Sequence, residues 1–416
     1  MFGVTVSGAV AFAPAGKSKF ARTLAARRGL LPRIANRAQQ VRNSSQPLVW
    51  FHAPSVGEGL QARPVIEALR SAHPTIQIAY TFFSPSAEAF ARSVDAEIVD
   101  YLPFDTAANA HAIIEALQPA AIVFSKLDVW PVLVEVAGAR GIPCLLVSAT
   151  VAPRSARLGL ISRAFVTDAY ASLHAVGAID AANATRLEQL GARREIIRIT
   201  GDTRFDQVAQ RASSVDVDAP PLYALRSTRL TLVAGSTWPA DEAALLPAWT
   251  DVLGATKSRP RLIIAPHEPT EAHLQPIEQW ARLAGLNVQR LEAANGETDV
   301  VLVNRTGVLG QLYALADAAF VGGGFHAAGL HSVIEPAAFR IPVAFGPGHD
   351  MSREAGLLLA AGGGKEVQDR TSLATVITRW LTDDSSRKDA GAAAGAVVGK
   401  ERGAVAETLK LIENVL

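Results

Sequence analysis

The stretch Leu48-Val49-Trp50-Phe51-His52-Ala53-Pro54-Ser55-Val56-Gly57-Glu58-Gly59 decides how the rest of the chain is read. Leu48 to His52 is a short apolar run of strand length, and a turn of small residues and proline follows it. From Gly59 to Ala72 the apolar positions recur at helical spacing. The same unit then repeats. Ile76 to Tyr80 reads as a strand, Pro85 to Ser93 as a helix, Ala121 to Phe124 as a strand, Pro131 to Arg140 as a helix and Cys144 to Val147 as a strand. Strands separated by helices predict right-handed βαβ units and a parallel sheet. The rhythm breaks at Arg211 to Leu225, where Ser213-Ser214, Asp216, Asp218 and Pro220-Pro221 interrupt it. It restarts with Leu230 to Val233, Leu262 to Ile264, Val300 to Val303, Ala318 to Val321 and Val343 to Phe345. The expectation is an α/β protein with two doubly wound, Rossmann-like domains, residues 48–210 and 226–395, and ligands at the carboxyl ends of both sheets across a cleft. Residues 396–416 are expected to form a terminal helix, with Val405, Leu409 and Ile412 at helical spacing, able to pack back across the domain boundary.

Composition narrows the class. Of 416 residues 49% are hydrophobic and 19% charged, which excludes disorder and coiled coil. A single cysteine, Cys144, excludes an intrachain disulfide and any multi-thiolate metal site. No apolar run reaches the roughly 18–20 residues of a spanning helix. Phe2 to Ala15 is short, and its positive charges follow rather than precede it, the wrong order for a secretion signal. The net charge of +1 conceals an asymmetry: residues 1–57 hold eight basic residues, from Lys17 to Arg42, and no acid, so the remainder carries −7. Residues 1–47, with Leu24, Leu30-Leu31 and Ile34 among the basic positions, fit either a segment resting on an anionic membrane surface or a solvated basic helix.

Three segments where strands meet helices are candidate sites. In Pro54 to Gly59 two glycines flank Glu58, a carboxylate placed either to accept a proton from a hydroxyl or simply to favour a helix N-terminus. Gly235-Ser236-Thr237, ahead of Trp238-Pro239-Ala240-Asp241-Glu242, is either a helix-start signal or a site for one phosphate. Gly322-Gly323-Gly324 is either a tight turn or a backbone cradle for a phosphate, and Glu335 downstream either a surface carboxylate or an acceptor for a ribose diol. Gly362-Gly363-Gly364-Lys365 is no P-loop, because Glu366 stands where Ser or Thr is required. His267, Glu268 and His273 lack the His-Glu-x-x-His spacing of a zinc site. No nucleic-acid-binding module is found.

Eight motifs taken in order carry a more specific reading: Trp50 to Glu58, Thr81 to Ser86, Tyr101 to Asp105, Lys126 to Pro131, Gly201 to Asp206, Gly235 to Thr237, Ala265 to Glu268, and Gly322 to Pro347. Together they resemble the 3-deoxy-D-manno-octulosonic acid (Kdo) transferases of lipopolysaccharide assembly, from about Lys17 to the C-terminus. The resemblance implies a GT-B glycosyltransferase, inverting and independent of metal or cofactor. It would move Kdo from CMP-Kdo to a lipid A precursor at the cytoplasmic face of the bacterial inner membrane, as a peripheral protein. It casts Glu58 as catalytic base and Arg204 as a cation for the donor carboxylate and departing phosphate. CMP would lie against Ser236, Thr237, Pro266, His267, Gly307, Val308, Leu309, the glycines 322–324, Ser332, Val333, Ile334 and Glu335. The chain departs from the family pattern at Lys126, where a carboxylate is common and Asp128 is left to supply the acid, and at Val308, Ser332 and Met351-Ser352. Two other classes share the expected features: an epimerase of the same fold acting on a UDP-linked sugar, and a non-catalytic membrane-surface binding protein. Intact Glu58, Gly322 to Gly324 and Glu335 weigh against the second.

Overall fold

The computed structural model describes residues 19–416; the apolar stretch Phe2 to Ala15 lies outside them. Tertiary packing divides the chain into two units, residues up to Gln207 joined by Arg402–Leu416, and Val208–Glu401.

The first unit is a seven-stranded parallel sheet of β1 (Leu48–His52), β2 (Gln77–Phe82), β3 (Ile98–Tyr101), β4 (Ala121–Ser125), β5 (Cys144–Ala149), β6 (Ala175–Ala178) and β7 (Ile197–Ile199). Its order is β3-β2-β1-β4-β5-β6-β7. Helices cover both faces of such a sheet, so β1, β2, β4 and β5 are buried at every position and read as continuous apolar runs. The chain leaves β1 outward to β2 and β3, then returns to β4 on the other side. The loops after β1 and β4 therefore diverge, and that switch point is where a doubly wound sheet takes its ligands. Register fixes the pair, with Val49 opposite Ala121 and His52 opposite Phe124.

The second unit repeats the plan with β8 (Thr231–Thr237), β9 (Arg261–Pro266), β10 (Val288–Arg290), β11 (Val300–Leu302), β12 (Ala318–Val321), β13 (Val343–Phe345) and β14 (Gly364–Glu366). Its order is β10-β11-β9-β8-β12-β13-β14, again wholly parallel, with the switch point between β8 and β12. Residues 211–225, expected as a break between domains, pack into this unit. Leu222 and Leu225 are buried in a cluster with Val233, Ile263 and Val301. The helix Ala404–Glu413 contributes Leu411 and Ile412 to the core of the first unit. Asp206 holds its amino end, accepting from Gly403 N–H at 2.8 Å and Val405 N–H at 3.2 Å.

The described part of the basic amino-terminal segment packs against the first unit. Helices Lys19–Ala25 and Leu30–Val41 turn Leu24, Leu30 and Ile34 into the first unit's core. Arg27 is 4% exposed. Its guanidinium donates to the carbonyls of Leu102, Thr23 and Phe83 and lies 4.0 Å from the centre of the Phe83 ring. Burial lowers its pKa to about 10, still far above neutrality. Arg33 forms a two-pronged pair with Asp100, both bonds 2.8 Å. The apolar residues and several of the cations that made the segment look lipid-facing are thus used to hold it to the sheet.

Candidate active site

At the switch point of the first sheet, Glu58 lies in the first turn of the helix Val56–Ala72 that follows β1. One carboxylate oxygen, Oε1, meets Lys126 Nζ at 3.2 Å and the other accepts from Ser55 Oγ. Ser125 Oγ donates to the Glu58 carbonyl at 3.1 Å. The Glu58 side chain is 16% exposed, so one edge of the carboxylate remains reachable while its rotamer is held from two sides. Gly59 does not serve close approach of a ligand: a Cβ there would fall 2.4 Å from the Phe90 ring and 2.7 Å from Tyr80 Oη, so the glycine lets the helix seat against those rings.

Lys126 reaches Glu58 because the backbone at the end of β4 turns sharply. Its φ is +70°, in the left-handed region that costs a side-chain-bearing residue about 1–2 kcal/mol. Lys126 N–H donates to Val147 O at 2.8 Å and its carbonyl accepts from Thr150 N–H at 3.1 Å, which over-determines the turn. Asp128, expected to supply the missing family carboxylate, pairs instead with Arg157. Arg204 is also engaged: it grips the fully buried Asp202, with Nη2 to Oδ2 at 2.6 Å. Burial pushes the Asp202 carboxyl up, but the Arg204 charge and hydrogen bonds outweigh it and hold the group below its ordinary range. Arg204 therefore enters any ligand interaction as half of a neutral pair rather than as a lone cation.

The second switch point is built differently. Ser236 has φ +54° at the end of β8. Thr237 is buried and donates through Oγ1 to Glu242 at 2.7 Å, so its hydroxyl is turned inward. Glu242 in turn meets His273 Nε2 at 2.9 Å, and burial pushes its carboxyl up. The glycine run after β12 is not an open cradle. Gly322 N–H donates to Gly235 O at 2.9 Å, and Gly323 N–H and Phe325 N–H donate to the two oxygens of buried Asp241 at 2.8 and 3.1 Å. Asp241 Oδ2 also accepts from Trp238 N–H at 2.9 Å. The glycines are required by crowding: a Cβ on Gly322 would fall 2.3 Å from Ser236 O, and one on Gly324 2.6 Å from Gly346 N.

What this edge presents is a platform of rings. Trp238 stacks on His326 at 4.2 Å between centroids and 10° between planes, and on His267 at 4.7 Å and 28°. Its indole N–H donates to His331 Nε2 at 3.1 Å. Burial, and then the neighbouring His267, lower the pKa of His331, which keeps that nitrogen a lone-pair acceptor at neutral pH. Of the expected nucleotide contacts, Pro266 ends β9, His267 joins the platform, and Gly307 (φ +86°) and Val308 lead into the short helix that starts at Leu309. Ser332 is exposed, whereas Val333 and Ile334 are each 1% exposed and offer only backbone. Burial pushes the Glu335 carboxyl up, opposed by Arg211; a Cβ on Gly310 would lie 3.6 Å from both Glu335 Oε2 and Arg211 Nη1.

Comparison with known proteins agrees with the motifs. The family described as 3-deoxy-D-manno-octulosonic-acid transferase (kdotransferase) matches residues 23–207. The 3-deoxy-D-manno-octulosonic acid transferase of Haemophilus influenzae is 26% identical over 393 residues, 92% of this chain and 91% of its own. That of Bordetella pertussis is 28% identical over 388 residues, 88% of this chain and 87% of its own. Over most of its length the chain is similar to the Kdo transferases. It is a glycosyltransferase, and the family's part in lipopolysaccharide synthesis is Kdo transfer. Its backbone is also similar to solved UDP-GlcNAc 2-epimerases, from Neisseria meningitidis (TM-score 0.60, 13% identity, 89% of this chain and 99% of that one) and Methanocaldococcus jannaschii (0.56, 12%, 85% and 99%). At that identity the likeness speaks to the GT-B-like fold alone. The sequence alone did not reveal the ring platform or the role of Asp241 in holding the glycine run. The available signal was positional: Trp238, His267 and His326 each stand just past the end of one of the adjacent strands β8, β9 and β12.

Proposed function

We propose that this protein is a Kdo transferase that uses CMP-Kdo as donor and a lipid A precursor as acceptor, with inversion at the anomeric carbon and no metal. The observation that carries the reading is the Glu58–Lys126 pair at the β1/β4 switch point, a half-shielded carboxylate held ready by a cation and a hydroxyl. In the reaction Glu58 takes the proton of an acceptor hydroxyl as its oxygen attacks the anomeric carbon. The bond from that carbon to the CMP phosphate oxygen breaks, CMP leaves with the electron pair, and attack from the opposite face inverts the centre. Lys126 fixes the orientation of the carboxylate before attack and favours its ionised form, the form that accepts the proton. The second unit supplies the nucleotide surface: the ring platform for a planar base, exposed Ser332, and backbone groups near Gly307 and Val308. The protein acts at the cytoplasmic face of the inner membrane. In this reading membrane contact is peripheral; among the described residues no helix is long and apolar enough to cross a membrane.

The direct test is incubation with CMP-Kdo and a tetraacylated lipid A precursor, with product mass as readout. One or more Kdo additions that depend on both substrates support the proposal. No transfer, alongside thermal stabilisation by CMP, redirects it to another ulosonic acid or acceptor. Turnover of a UDP-N-acetylhexosamine without any acceptor would replace transfer by epimerisation.

A further inference from the structure

Among the described residues, the large apolar side chains left in solvent are scattered singly, with one exception. Leu160 and Phe165 share the helix Leu160–Ala171, and each is 78% exposed. The carboxyl half of that helix is fixed: Tyr170 is fully buried and its hydroxyl donates to Leu127 O at 2.8 Å. The amino half stands free, with Ser162, Arg163 and Ala164 also exposed. Charge around it is one-sided. No acidic residue occurs between Glu135 and Asp168, while Arg140, Arg154, Arg157 and Arg163 do. Arg157 is spent on Asp128; Arg154 is exposed, and neither it nor Arg163 has an ion-pair partner among the described residues. The helix follows β5, so it rises from the same carboxyl edge of the sheet as Glu58 and Lys126, and Tyr170 ties it directly to the residue after Lys126.

We infer that this half-helix, with Leu160 and Phe165 as apolar contacts and Arg154 and Arg163 as flanking cations, is the surface by which the protein rests on a bilayer carrying anionic headgroups. Apolar side chains that sit at the acyl boundary beside guanidinium groups at phosphate level are the composition an interfacial helix requires. A protein partner would need acidic groups aligned with the two arginines, whereas an anionic bilayer supplies them at any orientation. The basic segment 19–41 cannot take this role with its apolar residues, because Leu24, Leu30 and Ile34 are buried. The inference rests on the reading of the acceptor as a membrane lipid.

The experiment is sedimentation of the full chain with phosphatidylcholine vesicles, with and without phosphatidylglycerol. Binding to the anionic vesicles should fall about fivefold for each of Arg154→Gln and Arg163→Gln. It should fall at least about tenfold for the Leu160→Ser/Phe165→Ser pair, with thermal stabilisation by CMP retained as proof of folding. Undiminished binding in all these variants would overturn the inference. So would a change from dimer to monomer in the Leu160→Ser/Phe165→Ser variant, which would make the patch a contact between copies. Vesicle binding is read without turnover, so failure of the sugar-transfer reading would show in the mass assay and leave this measurement standing.

Discussion

The two switch points are the same piece of topology used for opposite chemistry. Between β1 and β4 the chain places a carboxylate, an ammonium and a hydroxyl, and holds them through a left-handed Lys126. Between β8 and β12 it places stacked rings, and its buried carboxylate, Asp241, is spent on three backbone amides. In the proposed reaction one edge moves a proton, while the other presents planes and a stiff backbone. A doubly wound sheet dictates where a ligand can approach, and the few residues after each strand dictate what can be done to it.

The sharpest way to break that contrast is Glu58→Gln, which keeps the shape and removes the base. Transfer should fall by about 10²–10⁴-fold in kcat, while CMP binding, measured by calorimetry, stays within about twofold. Full activity would remove Glu58 from the chemistry, and lost CMP binding would mean that the two edges do not divide the work. The reciprocal change is Asp241→Ala. Three amides lose a charged acceptor, and at about 1.5–3 kcal/mol for such bonds a loss of at least about 3 kcal/mol is expected. For a unit of this size that lowers Tm by about 6–12 °C. CMP affinity should fall with it, because the glycine run no longer has a fixed shape; unchanged melting would show that the loop is held by crowding alone.

How far the sequence revealed these edges follows from where the information sits. The central strands other than β6, whose run Ala175–Ala178 is short and mostly of small residues, were legible because burial on both faces demands unbroken apolar runs such as Leu48 to Phe51 and Leu262 to Ile264. The outer strands β3, β7, β10 and β14 escaped. They are three or four residues long, are bonded on one side only, and carry Asp100, Arg198, Gln289, Lys365 and Glu366, the polar and short character that keeps sheet edges from pairing with other chains. Glu58 was legible as a carboxylate after a strand. The purpose of Gly322 to Gly324 was not, because the acceptor for Gly323 N–H lies 82 positions earlier at Asp241 and the crowding comes from Ser236 and Gly346. The ring platform draws on three separate loops, so no local pattern announces it.

A smaller effect separates the stacking surface from its hydrogen bond. Trp238→Phe keeps a plane for His326 and His267 but removes the indole N–H that His331 accepts. The donor KM should rise about threefold to tenfold, the scale of one neutral hydrogen bond, with kcat little changed. A fall in kcat of the size expected for Glu58→Gln would place Trp238 in the chemical step and end the division between the edges.

The smallest effect is in pH, and each edge holds one histidine that shows it, His52 buried and His331 half-buried. His52, at the end of β1, is wholly buried against Thr81, Phe124 and Trp130, and burial pushes its pKa down to about 3. His331 is also lowered, by burial and by His267. Both rings bind a proton more readily in the unfolded chain, near 6.5, than in the fold. The stability each contributes is therefore whole above 6.5 and declines as the pH falls below it. They differ in where the decline stops. His331 ceases to add to it once its own ring is protonated in the fold, an event that strips Trp238 Nε1–H of its acceptor. His52 goes on adding, at up to about 1.4 kcal/mol per pH unit, until the pH nears 3. Melting followed from pH 7.5 to 4.5 should therefore fall less steeply in His52→Asn than in the parent chain at the acid end. His331→Gln should lose less stability than the parent as the pH falls below 6.5, with a matching loss of the acid step in tryptophan fluorescence. A parent curve flat across that interval would mean that neither ring is held neutral by its fold.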